Sequence, residues 1–204
     1  ACLVGSEMCI RDSYYSKSTV CCSEQTLLLR NIRVLFKFSY PYTLDLRDMI
    51  TVLNNLGYTI SSNLPLVPPG SILLGSVTAV KGDIALEFNN TIGDISFFTR
   101  SLDEIPIVKE ELIQIISNFN LGKLDYVEVS LDAVMNGKLR FENKEVAGIE
   151  FSQGKKNIKI NSYMAMKDSY IVILTYKLED VKELEDIVND IKRDLEEIKA
   201  MGLN

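Results

Sequence analysis

The stretch YIVILTYKLEDVKELEDIVNDIKRDLEEIKAM, residues 170–201, decides the architecture. Its opening run, Tyr170 to Tyr176, is apolar without alternation, which predicts a strand placed centrally in a sheet covered by helices. Beyond it Val181, Leu184, Val188, Ile191, Leu195 and Ile198 recur at spacings of 3, 4, 3, 4 and 3, so one long amphipathic helix is expected over Glu179–Met201. Ile187 widens the apolar stripe toward the face of a helix lying on its own sheet. The same heptad spacing would also serve a dimer seam.

The succession of strand, acidic pair and amphipathic helix occurs once before. Thr99 to Ile105 matches Thr175 to Val181 at an offset of 76, and Val108, Leu112, Ile115 and Phe119 match Leu184, Val188, Ile191 and Leu195 at that offset. Upstream, Val77 to Gly82 and Leu86 to Asn89 match Ile149 to Gly154 and Ile158 to Asn161 at an offset of 72. The expected class is therefore α+β: antiparallel sheet or sheets with long amphipathic helices packed on one face. A tandem β-α-β-β-β-α duplication is the finer expectation. Amphipathic elements resemble one another by pattern alone, so the match leaves duplication open. In outline the topology resembles the TATA-binding-protein-like and helix-grip architectures, an analogy of fold that carries no function.

Working outward, Ile32, Val34, Phe36 and Phe38 alternate with Arg33, Leu35 and Lys37, the period of a strand with one buried face. Leu46, Met49, Ile50, Leu53 and Leu56 have helical spacing, with Thr43 or Asp45 as candidate cap and Gly57 after them. Pro65, Pro68, Pro69 and Gly70 predict an extended turn. Strands are expected over Ser71–Val80, Asp83–Asn89 and Ile95–Thr99, then a helix over Pro106–Phe119. The Ser101-x-x-Glu104 capping pair conflicts with Pro106 as the start of that helix, and proline is the stronger signal. Further strands are expected over Tyr126–Val134, Leu139–Glu142 across an Asn136-Gly137 hairpin, Val146–Ser152 and Asn157–Tyr163. Four segments follow: a non-native 1–13 resembling the translation of a sequencing-library adapter, a poorly ordered 14–29, a first α+β half 30–122 and a second 123–204.

Composition sets limits on chemistry. An apolar fraction of 47% with 25% charged residues is that of a globular chain with a real core. Net charge is −6, or −5 once Glu7, Arg11 and Asp12 are set aside with the first segment, and no segment carries a basic stripe. The composition thus argues against nucleic acid as a partner, because affinity for phosphate backbones depends on clustered Lys and Arg. All four Cys precede residue 23, and no C-x-x-C pair occurs, which suits a reducing cytoplasm. A leader removed upstream of the visible chain remains open at this level. The absence of His removes the usual general base and the commonest nitrogen ligand for metals. No phosphate-binding glycine motif and no apolar run of membrane-spanning length occurs.

The candidate contacts are few. Lys155 and Lys156 at a hairpin tip, with Lys159, form the candidate anion contact, although charged hairpin tips usually keep sheet edges soluble. Asp83, Glu87, Glu128 and Asp132 occupy polar strand faces where two carboxylates can meet, Glu87 being the one carried forward as a contact. Tyr40, Tyr42 and Tyr58 are candidates for the rim of a groove beside the first helix. Asn89-Asn90-Thr91 fits the glycosylation acceptor pattern, for which chance is the default. No residue is assigned as catalytic, cofactor-binding or metal-binding, and no cofactor is implied. The expectation is a soluble, non-enzymatic binding or protein-interaction module, with an unknown protein partner or a homodimer and no membrane. The alternative is a small-molecule-binding or hydrolytic domain with a carboxylate-containing pocket between sheet and helices.

Overall fold

The computed structural model describes residues 26–60, 75–137, 139–141, 144–145 and 147–201. The adapter-like segment, the cysteines and the proline turn lie outside the described residues.

The first strand, β1 (Leu27–Phe38), buries Ile32, Val34, Phe36 and Phe38, as the alternation requires, and also Leu35, which with Ser96 of the neighbouring strand is covered on the opposite face. It is followed by α1 (Leu46–Asn55), capped by Asp45, whose carboxylate accepts the N–H groups of Arg47 and Asp48 at 2.9 and 3.1 Å. Then come β2 (Thr59–Ile60), β3 (Ser76–Lys81), β4 (Ile84–Asn89) and β5 (Asp94–Thr99), and α2 (Ile105–Asn118). The second half consists of β6 (Leu124–Asn136), the short pair β7 (Arg140–Phe141) and β8 (Lys144–Glu145), β9 (Gly148–Gln153), β10 (Lys156–Ser162), β11 (Ser169–Leu178) and α3 (Leu184–Met201).

Nine strands form one antiparallel sheet in the order β2-β3-β4-β5-β1-β6-β11-β10-β9. The two halves therefore share a sheet, joined where β1 pairs with β6 from Leu27↔Met135 to Phe38↔Leu124. β1 starts inside the segment expected to be poorly ordered, because Leu27, Leu28 and Leu29 have Met135, Val134 and Ala133 as ladder partners. Along one row across the sheet, Ala79, Leu86, Phe97, Val34, Val129 and Tyr176 are partners and all are buried. Leu46, Met49 and Leu53 of α1, Ile105, Val108, Leu112 and Ile115 of α2, and Leu184, Ile187, Ile191 and Ile198 of α3 join these strand residues in one hydrophobic cluster.

Three local expectations differ from the structure. The conflict between Ser101 and Pro106 is resolved by using both signals. Ser101 caps a 3₁₀ turn, Leu102–Glu104, that runs straight into α2 with Pro106 in its first turn, where a missing N–H costs nothing. The hairpin at Asn136-Gly137 is not formed between β6 and β7. β6 has β1 on one side and β11 on the other, so no edge is free for a returning strand, and β7 pairs with β8. Finally, β11 is interior to the sheet as expected, yet it is covered on one face alone. Tyr170, Val172, Leu174, Tyr176 and Leu178 are buried, whereas Ile173 on the other face is 37% exposed.

Candidate functional site

Two places on the described surface gather polar groups in a concavity. The larger lies on the open face of the sheet, opposite the buried row. Its volume is about 540 Å³, and Asn31 and Arg33 of β1, Phe98 of β5, Ser130 and Asp132 of β6 and Ile171 and Ile173 of β11 line it. Period-two alternation puts them there, since each is next along its strand to a core residue. Nε and Nη2 of Arg33 donate to Ser96 Oγ at 3.2 and 3.0 Å, and the guanidinium lies 5.9 Å from the centroid of the Phe98 ring. Asp132 accepts one long bond, 3.5 Å, from Asn31 Nδ2. Glu87, Glu128 and Lys177 occupy the same face, and Lys177 Nζ sits 4.1 Å from the centroid of the Tyr126 ring. Among the described residues, none of Arg33, Asp132, Glu87, Glu128 and Lys177 has an ion-pair partner.

The smaller concavity, about 260 Å³, lies between the β9–β10 hairpin, the end of β11 and α3. At its base is Asp194, 1% exposed, which accepts from Tyr176 Oη at 2.7 Å and from Lys156 Nζ at 3.0 Å. A chemically similar trio occurs in the first half. Glu111 of α2 is buried, accepts from Lys81 Nζ at 2.5 Å and is bonded by the Tyr58 hydroxyl. Burial, then the hydrogen bond to the carboxylate, pushes the Tyr58 and Tyr176 hydroxyls above their ordinary range. Both carboxylates thus have cationic and neutral donors already in place, as a charge removed from water requires.

The residues expected as contacts are dispersed. Lys155 is paired with Glu179 at 3.1 Å, Lys156 with Asp194 and Lys159 with Glu150 at 3.2 Å. Alternation along β10 sends Lys156 toward the core side and Lys159 to the open face, so the three do not converge on an anion. Glu150 is held below the usual carboxylate range, first by the Asn157 amide and then by Lys159. Glu87 is separated from Glu128 and Asp132 by β5 and β1, and among the described residues no group of three or more potential metal ligands is gathered. Tyr40 is 77% exposed, but Tyr42 and Tyr58 are core residues and rim no groove. The Tyr42 hydroxyl donates to the Asp94 carbonyl at 2.5 Å, and its ring packs edge-on against Phe38. An aromatic ring gains more by burial than by exposure once its hydroxyl has a partner.

Sequence reading missed Asp194 and Glu111. The signal was present: each carboxylate falls three residues after a core position, Ile191 and Val108, on the apolar stripe of its helix. It also missed Arg33 and its unpaired state, which depends on partners distant in sequence. Among the described residues, no helix is long and apolar enough to cross a membrane. No protein-family model matches the chain, and no curated protein matches its sequence.

Proposed function

We propose that this chain is a non-enzymatic binding module that works through the open face of its sheet. The observation that carries this reading is the 540 Å³ concavity, in which charged groups without counter-ions stand beside Phe98, Ile171 and Ile173. Binding sites of this kind combine apolar walls with a few convergent polar groups. The partner is a protein, either an unknown one or a second copy. Absence of Cys from residues 23–204 supports a reducing, cytoplasmic setting.

The finer organisation belongs to the same reading: α2 and α3 on the face opposite the site, and two halves that arose by duplication. Support comes from the strand order, in which β5, β4 and β3 follow outward from β1 as β11, β10 and β9 follow from β6. The hairpin glycines Gly82 and Gly154, with φ of 58° and 59°, stand at the expected offset of 72. For the helices the better offset is 79, which carries Ile105 onto Leu184, Val108 onto Ile187 and Leu112 onto Ile191, all buried.

The alternative, a small-molecule or hydrolytic site, is favoured by one observation, the buried Asp194 at the base of the smaller cleft. Its donors Tyr176 and Lys156 already satisfy it, which supports a structural part for the trio. The two readings separate in an amide chemical-shift titration with a fragment mixture of acids, amines and aromatics. The binding-face reading expects shifts at Asn31, Arg33, Asp132 and Ile173. Shifts confined to Gln153, Lys156 and Asp190 would replace it with the alternative.

A further inference from the structure

The identity of the partner can be taken further, on the premise that the open face is the binding surface. Arg33 and Asp132 stand on the two central strands, β1 and β6, and face the same side. They are not partners: Arg33 is opposite Ser130, and Asp132 is opposite Asn31. Each charge is half-buried and has only neutral hydrogen-bond partners. A charge in that setting gains more from an arriving counter-ion than one in bulk water does.

A face of one sign would repel its own copy and select an oppositely charged partner. This face carries both signs, on adjacent strands and two residues out of register, and the two groups are not ion-paired with each other. That is the requirement of a twofold contact, where residue i of one copy meets j of the other and j meets i. The face also has apolar ground around the charges. Leu28, Val134 and Ile171 form one cross-strand row, with Leu28 68% exposed, and Ile173 lies beside Asp132. Eight of the sheet's nine strands have six residues or more, and at a spacing of about 4.8 Å and a length of about 20 Å they give the face a projected extent of roughly 800 Å², on the scale of the share each partner contributes to a standard interface.

We propose that the open face is covered by a second copy of this chain, in a twofold face-to-face dimer that sets Arg33 of each copy against Asp132 of the other. The helix seam is not the dimer contact, because Leu184, Ile191 and Ile198 are buried within the chain and Val181, Val188 and Leu195 pack against the same core.

Sedimentation velocity on the full chain, from micromolar to millimolar concentration, tests this. Wild type is expected to dimerise. Arg33→Asp and Asp132→Arg should each raise the dimer dissociation constant by about 100-fold, and the double variant should recover most of the loss. The neutral substitutions Arg33→Gln and Asp132→Asn keep the test valid if a charge reversal fails to fold, and each should weaken the dimer by about 10-fold. Circular dichroism of each variant checks the fold. A wild type that stays monomeric at millimolar concentration overturns the dimer. So does a dimer that both charge reversals leave intact, or a double variant that stays monomeric. The binding-face reading is judged separately, by the fragment titration on the same samples, and would survive a monomer whose open-face amides still respond.

Discussion

At the scale of single residues, the buried tyrosines tie the fold to pH. The hydroxyls of Tyr42, Tyr58 and Tyr176 are raised above the ordinary 10.0, mainly by burial and then by Asp94, Glu111 and Asp194 respectively. A group whose folded value is raised holds its proton longer in the folded state than in the unfolded one. Its stabilising effect is complete below the unfolded value and is lost as pH climbs past it toward the folded value. Stability is therefore expected to be flat in this respect below about pH 10 and to fall above it, by about 1.4 kcal/mol per pH unit for each of the three tyrosines. Urea midpoints measured across the alkaline range check this, with phenolate absorbance as a second readout. Tyr176→Phe should remove about a third of the slope while weakening the fold, since Asp194 loses a donor. A midpoint that ignores pH up to the point where every phenol has ionised would contradict the burial of these hydroxyls. The same trios show what a residue-by-residue reading passes over. A carboxylate on an apolar stripe is visible in sequence, but Lys156 and Tyr176 meet Asp194 only once three elements have assembled.

At the scale of elements, periodicity located most strands and all three helices, and it does not fix how they correspond to one another. A shift of three residues nearly preserves the face of a helix, so offsets of 76 and 79 fit α2 onto α3 almost equally well. The same shift reverses the face of a strand. An offset of 76 would carry buried Phe97 onto Ile173, which lies on the open face, whereas 79 carries it onto buried Tyr176. The Asn136-Gly137 signal misled for a related reason: turn chemistry is local, but whether a hairpin forms depends on a free strand edge. Capping also works at this scale. Asp180 begins the turn before α3 in a full capping box. Its carboxylate accepts from Lys182 N at 2.9 Å, and Glu183 accepts from the Glu179 and Asp180 N–H groups at 2.9 and 3.1 Å. Ser101 caps the corresponding turn with one bond of 3.2 Å. Asp180→Ala is expected to cost about 1 kcal/mol and Ser101→Ala about half of that, as read from urea midpoints. Equal costs would mean that the Asp180 carboxylate caps its turn no better than the Ser101 hydroxyl caps the other.

At the scale of the whole molecule, the question is whether the halves unfold together. Single domains above about 150 residues often populate intermediates, and a chain whose sheet is built from two consecutive stretches of sequence is a natural candidate for doing so. Two features oppose a stepwise path here. The longest ladder of the sheet, between β1 and β6, is the joint between the halves, so neither half can lose its bordering strand without exposing the other's. The core is also continuous: Leu112 of α2 and Ile191 of α3 are both fully buried in one cluster, and Lys109 of α2 is paired with Glu185 of α3. Loss of the first half would leave β6 with an unpaired edge and the cluster open to water, at a cost in buried apolar area that a separate domain would not incur. Cooperative unfolding should win. Leu112→Ala and Ile191→Ala, one in each half, are each expected to destabilise by about 2–5 kcal/mol and to lower the midpoint of one shared transition. Scanning calorimetry should give equal calorimetric and van't Hoff enthalpies for the parent and both variants. Two resolved transitions, with each substitution moving only its own, would show that the shared strand pair is too weak to couple the halves.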